Sequence, residues 1–434
     1  MAKHNNNSIT TLSYADTLAV LRAALFTPTP AGWGLPYLLV GGSGVGKSAG
    51  ITALAKSCGL DGTLALIGSQ CDPTDFGGVP SADPANPGYV LPLLPRWVRT
   101  LDAWQGGSVL FCDELTCVPK GTQAAILNVV LERRSGDHQF RLGTRVLAAC
   151  NPPELAVGGT EIDPPMANRF GHLRWESAPV STLGPIWASR LAGACSPTPR
   201  PVVAPAESAA SIEARVLAAW PTAVQRAAVE VESFLGKTPD EKGLASWLCV
   251  QPEAGDPAGS GAWPSPRTWE MAISALASSR IHGLSIDQRD GMLSSLVGQS
   301  AALALTTWLR EADLPDTQSV LDGTVAWSPQ PERPDRTQAV FRGMSAFLRG
   351  DTSSTPAVYA ERCGRYWRAA IAADTAGCVD LALDSALLVT SARTALSPNG
   401  NARSVEAGKA PNALEARMGG LRAVWVAISA PPAR

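Results

Sequence analysis

Apolar positions near the N-terminus recur at the spacing of one helix face. Spacings of four, three and four residues separate Tyr14, Leu18, Leu21 and Leu25. Side chains at these spacings lie on one side of an α-helix, and Pro28 cannot continue such a helix. The pattern therefore predicts a helix over residues 12–27.

Short apolar runs then alternate with helical patterns over residues 36–178. The runs are candidate strands at Leu38–Val40, Leu64–Gly68, Val109–Asp113, Arg145–Cys150 and His172–Trp175. Helices are expected between them over residues 47–57, 95–105 and 119–133, and residues 134–138 predict a hairpin turn. Alternation of this kind is typical of an α/β fold with a parallel sheet.

Beyond this region the pattern becomes helical. Helical periodicity returns over residues 208–235, 265–281 and 287–310, and again beyond residue 336, while residues 395–412 predict a mobile segment. Four prolines between residues 195 and 207 predict a stiff linker. The predicted organisation is an α/β domain at 1–178, a linker at 179–207, a helical lid at 208–310 and a mostly helical extension at 311–434.

The composition narrows the functional classes. Among 434 residues, 36 Lys and Arg face 38 Asp and Glu, and this near-neutral balance argues against a broad nucleic-acid or membrane surface. No apolar run reaches transmembrane length, and the polar N-terminus lacks a signal-peptide core. The nine cysteines follow no metal-binding spacing. We therefore expect a cytoplasmic protein.

A glycine-rich segment follows the first predicted strand of the α/β region. Residues 41–48 match the phosphate-binding loop pattern G-x-x-x-x-G-K-[ST] at each fixed position. Its glycines let backbone N–H groups point at phosphate oxygens, Lys47 supplies a charge, and Ser48 offers its hydroxyl to Mg²⁺. The predicted ligands are a nucleoside triphosphate and Mg²⁺, held by Gly41, Gly42, Ser43, Gly44, Val45, Gly46, Lys47 and Ser48.

Two carboxylates end the predicted strand at 109–113. Asp113 is expected to orient Mg²⁺, and Glu114 to polarise the attacking water as general base. Parallel sheets place their ligands at the carboxyl ends of strands. Solvated acids at a strand end are the alternative, and the phosphate-binding loop upstream favours the catalytic interpretation.

Three more polar residues follow breaks in the pattern. Asn151 ends a strand before Pro152, where its amide can bond water or a γ-phosphate. Arg169 precedes the last strand and is a candidate for reaching a neighbouring molecule's phosphate. Arg267 falls in the first turn after Ser265, where the helix dipole disfavours a cation, and this conflict indicates a role toward phosphates. A turn cap and two surface arginines are the structural alternatives.

In order and spacing, these segments resemble the AAA+ ATPases, and among them the MoxR-like branch. The resemblance covers residues 12–282 and is carried by GGSGVGKS (41–48), VLFCDE (109–114), AACNPPE (148–154), PPMANRF (164–170) and SPRTWEMAISALA (265–277). It implies a Walker A loop at the first segment and a Walker B motif at the second. It also implies sensor 1 at Asn151, an arginine finger at Arg169 and sensor 2 at Arg267.

The resemblance further implies an oligomeric assembly and a type of ATP-driven activity. Relatives form homo-oligomeric rings, usually hexamers, that hydrolyse ATP at subunit interfaces, and they commonly act beside a partner with a von Willebrand factor A domain. The hypothesis is therefore an ATPase that remodels or matures a partner. In departures from the family, residues 43–46 replace a more usual Pro-Gly-Thr-Gly, and the chain beyond 311 matches no known module.

Two other functions stay open. One is a nucleic-acid motor or restriction-type NTPase, which the near-neutral charge disfavours. The other is a nucleotide-gated scaffold, which the Asp113–Glu114 pair disfavours. Phe76 lies in a Gly/Pro-rich loop, and either contact with a client or local packing is expected of it.

Overall fold

The computed structural model describes residues 11–86, 88–152, 162–192, 207–236, 247–250, 252, 261–312, 314–351 and 354–391. The helices are α1 (Tyr14–Leu25), α2 (Lys47–Ser57), α3 (Thr74–Gly77), α4 (Arg96–Ala103), α5 (Lys120–Leu131), α6 (Pro164–Ala167), α7 (Val180–Ala192), α8 (Ala209–Leu235), α9 (Pro266–Ile281), α10 (Ile286–Val297), α11 (Gln299–Ala312), α12 (Thr317–Asp322), α13 (Pro334–Gly350), α14 (Pro356–Thr375) and α15 (Asp380–Ser391).

The strands follow the same chain order. They are β1 (Pro28–Thr29), β2 (Gly32–Trp33), β3 (Tyr37–Val40), β4 (Gly62–Ile67), β5 (Val79–Ala82), β6 (Val90–Leu93), β7 (Ser108–Asp113), β8 (Arg134–Ser135), β9 (His138–Gln139), β10 (Thr144–Cys150) and β11 (Gly171–Arg174). Short 3₁₀ turns occupy Gly68–Gln70 and Leu115–Cys117.

The central sheet of the described chain consists of parallel strands in the order β11-β3-β10-β7-β4. The predicted α/β class is confirmed, and so is the hairpin at 134–138, which β8 and β9 form. Strand β10 follows β7 in sequence but lies between β3 and β7. The chain segments that leave β3, β10 and β7 therefore emerge side by side at one edge of the sheet.

Apolar side chains on both faces of this sheet form the core. The inner strands β3 and β10 are buried along their whole length, as their continuous apolar runs predict. Phe76, for which client contact and packing were both open, is 2% exposed, and its ring lies 6.4 Å from that of Trp97. Local packing is therefore the role that the structure shows for Phe76.

The chain divides into two compact units. One consists of Met1–Trp220 and Ala245–Ala304, the other of Pro221–Leu244 and Leu305–Arg434. Helices α8 and α11 each contribute residues to both units. Among the described residues, no helix is both long and apolar enough to cross a membrane.

One predicted helix is wrong. The pattern over 287–310 was continuous, but Gly298 separates α10 from α11 with a φ of 80°. A helix can contain an isolated glycine, so the sequence pattern did not indicate a break here. Gly298 has a positive φ, and this backbone conformation ends α10. Residues 193–206 of the predicted linker and the segment 395–412 lie outside the described residues.

Candidate functional site

The loop between β3 and α2 contains glycines that are required for their backbone conformation and not for lack of space. Gly44 and Gly46 have φ values of 77° and 83°, and a Cβ atom on either would meet nothing within 4 Å. These positions therefore require glycine for the left-handed conformation. Gly46 is the N-cap of α2 and brings no side-chain hydrogen bond to the helix start. The first N–H groups of α2 are thus available to an anion.

Lys47 is the first residue of α2, and its side chain extends back into this loop. Its Nζ donates to the carbonyl oxygens of Gly41 at 2.7 Å and Gly42 at 2.9 Å, and to Asn151 Oδ1 at 3.2 Å. The side chain is 8% exposed, and burial lowers the pKa of Lys47 while the charge of Asp113 opposes that shift. The predicted phosphate-binding lysine and the predicted Asn151 are therefore in direct contact.

Ser48 and Asp113 form the oxygen pair that the sequence predicts for a metal. Ser48 Oγ donates to Asp113 Oδ2 at 2.6 Å, across from α2 to the end of β7. A hydroxyl and a carboxylate are hard oxygen donors of the kind that Mg²⁺ prefers. The two side chains present therefore fit a magnesium ion beside the phosphate loop.

Glu114 is held in an unusual backbone conformation. Its φ and ψ of 58° and 41° are left-handed, which costs a non-glycine residue on the order of 1 kcal/mol. Its N–H donates to Asp113 Oδ1 at 2.9 Å, and its Oε2 accepts from Ser69 Oγ at 2.6 Å. Ser69 follows β4, the neighbour of β7, and sequence reasoning missed it. Its only signal was a hydroxyl just beyond the end of a predicted strand.

Trp175 packs against the glycine-rich loop of residues 41–48. Sequence reasoning did not identify it as part of the site. Its indole N–H donates to the Val45 carbonyl at 3.4 Å, and the residue is 3% exposed. A Cβ on Gly41 would lie 2.6 Å from the Trp175 carbonyl oxygen, and one on Gly50 would lie 2.4 Å from Trp175 Cζ2. Gly41 and Gly50 therefore leave room for Trp175. A glycine inside the predicted helix 47–57 was the available signal.

Arg169 is influenced by the charge of Arg267, and it does not lie beside Lys47. Arg169 precedes Gly171, which pairs with Tyr37 at the start of β3, whereas Gly41 follows the end of that strand. At 3.3 Å per residue, β3 alone separates the two levels by about 10 Å. Burial lowers the pKa of Arg169, and the nearby charge of Arg267 lowers it further.

The site thus falls into two groups. Lys47, Ser48, Asp113, Glu114 and Asn151 converge at the carboxyl ends of β3, β10 and β7. Arg169 lies near the start of β11, and Ser265, two residues before Arg267, is hydrogen-bonded to the neighbouring Asn168. The first group combines a lysine in a glycine-rich loop, a hydroxyl–carboxylate pair and a second carboxylate.

No protein-family model matches this sequence, and no curated protein matches it either. Among solved structures, the chain is similar to a candidate ATPase from Cytophaga hutchinsonii, with a TM-score of 0.42 and 15% identity. That comparison covers 69% of this chain and 90% of the other. A likeness at this level carries no information on activity, so the function has to be inferred from the residues of the site.

Proposed function

We propose that this chain is an AAA+ ATPase of the MoxR-like type, which hydrolyses ATP to remodel or mature a partner protein. The observation that carries the proposal is the convergence of Lys47, Ser48, Asp113, Glu114 and Asn151 at one edge of a parallel sheet. A phosphate loop alone would support nucleotide binding. The carboxylates beside it supply what hydrolysis also needs, a metal ligand and a base.

Each residue has a task in this chemistry. Lys47 exchanges its bonds to the Gly41 and Gly42 carbonyls for phosphate oxygens, and the N–H groups of the loop and of α2 hold the same anion. Ser48 and Asp113 would hold Mg²⁺, which when bound supplies positive charge against the phosphates. Glu114 accepts a proton from the attacking water, and Asn151 orients that water or the γ-phosphate.

The position of Arg169 supports an assembly. Because it lies at the other end of β3 from the loop, it is poorly placed for the phosphates of its own chain. We therefore propose a homo-oligomeric ring, a hexamer by resemblance, in which Arg169 stabilises transition-state charge on the nucleotide of a neighbour. A partner with a von Willebrand factor A domain and a cytoplasmic location belong to the same proposal and rest on the resemblance.

The decisive experiment replaces the base. Glu114→Gln is expected to bind ATP as the unsubstituted protein does and to release phosphate about 10² to 10⁴ times more slowly, because general-base catalysis is lost while the loop is intact. Glu132→Gln, at the end of α5 where Glu132 pairs with Arg134 at 2.6 Å, is the matched control and should leave the rate unchanged. Undiminished hydrolysis by Glu114→Gln would exclude the mechanism.

A further inference from the structure

Asn168, the residue before Arg169, is tied to the start of helix α9. It is 3% exposed. Its Nδ2 donates to the Trp263 carbonyl at 3.3 Å, and its Oδ1 accepts from Ser265 Oγ at 2.8 Å. A buried amide is costly unless it is bonded, and both ends of this one are satisfied by the segment that leads into α9.

Ser265 is at the same time the N-cap of α9. Its Oγ accepts from the Thr268 N–H at 3.2 Å, and its own N–H donates to Thr268 Oγ1 at 2.8 Å, which completes a capping box. Because Ser265 Oγ accepts a hydrogen bond in the capping box, its own proton can be donated to Asn168 Oδ1. The first turn of α9, which carries Arg267, is therefore held directly against the residue that precedes Arg169.

Arg169 and Arg267 make an unusual pair of cations. The charge of Arg267 bears on Arg169, and among the described residues no carboxylate forms an ion pair with either of them. Arg169 Nη1 donates to the Pro165 carbonyl, and its Nε is buried with no described partner. Two like charges held together without a counter-charge are complementary to an anion that both can contact.

We propose that Asn168 is a positioning residue that holds Arg169 and Arg267 as one unit for a single phosphate group. The proposal rests on the proposed function and names the anion: the terminal phosphate of ATP bound by a second copy of this chain. Mutual repulsion would otherwise separate the guanidiniums. The two hydrogen bonds of Asn168 set their spacing before the phosphate arrives, so less ordering is needed on binding.

The first test separates positioning from capping. Asn168→Ala and Ser265→Ala should each lower kcat for ATP by about tenfold to a hundredfold with KM little changed, since a misplacement of about 1 Å can have that effect. Ser285→Ala is the matched control. Ser285 caps α10 with the same kind of capping box, and its described hydrogen bonds involve no arginine side chain, so its loss should lower thermal stability and leave kcat unchanged. An Asn168→Ala protein with unaltered kcat would overturn the proposal.

A second test asks whether Asn168 acts through the arginines. In an Arg267→Ala background, Asn168→Ala should lower kcat by a clearly smaller factor than it does in the unsubstituted protein, because one of the two arginines that it positions is already gone. A purely structural residue would lower kcat by the same factor in both backgrounds, and that result would also overturn the proposal. The comparison needs thermal unfolding of all variants, so that partial unfolding is recognised.

A third readout does not depend on hydrolysis. A non-hydrolysable ATP analogue should protect both arginines of the oligomer from phenylglyoxal, as measured by peptide mass spectrometry. Both protections should vanish together in Asn168→Ala and persist in Ser285→Ala. If the unsubstituted protein hydrolyses no ATP, the proposed function fails, while this assay still judges the arginine pair. Independent protection of Arg169 and Arg267 in Asn168→Ala would refute the coupling.

Discussion

Gly50 lies outside the phosphate-loop motif, yet we expect its replacement by alanine to weaken nucleotide binding. It is an interior residue of α2, where alanine usually stabilises a helix by about 0.5–1 kcal/mol. At this position the added Cβ would lie 2.4 Å from Trp175 Cζ2 and 2.6 Å from Trp175 Cη2. The usual benefit is therefore opposed by a steric conflict with the side chain that braces the loop.

The size of the effect follows from how tightly Trp175 is held. Carbon atoms in contact sit about 3.5–4.0 Å apart, so the ring has to move by about 1 Å. It is buried, its N–H bonds to Val45, and the Tyr14 ring lies against it at 5.7 Å. Overpacking of this kind costs about 1–3 kcal/mol, which outweighs the helix gain. A loop displaced with Trp175 should bind ATP about tenfold more weakly, equivalent to about 1.4 kcal/mol.

The assay combines a titration with a fluorescent ATP analogue and thermal unfolding of the same samples. Gly121→Ala is the matched control, because Gly121 lies in the first turn of α5 and a Cβ there would meet nothing within 4 Å. It should stabilise the protein slightly and leave the affinity unchanged. If Gly50→Ala behaves like Gly121→Ala, Trp175 is not a rigid brace and the reasoning is wrong.

Two further predictions concern assembly and pH. Lys47→Ala and Arg169→Ala should each be inactive alone but regain ATP hydrolysis when assembled together, because the loop of one and the arginine of the other complete a site. Mixed particles that stay inactive would contradict action between copies. Burial, with the charges of Arg215 and Arg22, lowers the pKa of His282 to about 4. In the unfolded chain the histidine pKa is about 6.5, so below pH 6.5 the unfolded state binds more protons than the folded state. His282 should therefore leave the free energy of unfolding unchanged above pH 6.5 and lower it by up to about 3 kcal/mol as the pH falls toward 4. Urea unfolding at pH 7 and pH 5 should show a smaller difference for His282→Gln than for the unsubstituted protein.

The parts of the molecule that could be predicted are those with local signals. The strands before Gly41 and Glu114 are continuous apolar runs, because inner strands of a parallel sheet are buried on both faces. Lys47 and Ser48 could be identified as candidates because they follow glycines at a fixed spacing. That spacing reflects the left-handed backbone that the loop requires. Such features depend on residues adjacent in the chain, so a single sequence is sufficient to recognise them.

The parts that could not be predicted depend on contacts between distant residues. Ser69 meets Glu114, Trp175 meets Val45, and Asn168 meets Ser265 only after the sheet and α9 have been assembled. None of these side chains is distinguished by its neighbours in sequence. Gly50 illustrates the limit: its place inside a helix is visible in the sequence, but the ring that requires a glycine there is more than a hundred residues away.

The division into two units has a practical consequence for dissecting the protein. The backbone passes from one unit to the other at residue 221, returns at 245 and leaves again at 305, so no single cut separates them. In the second unit, Phe234 of α8 packs 6.2 Å from Trp308 of α11. Deleting the chain after residue 304 would therefore uncover apolar surface on the second half of α8. Truncated versions should be insoluble even where residues 41–48 are intact, because residues 221–244 and the chain beyond 304 belong to one compact unit.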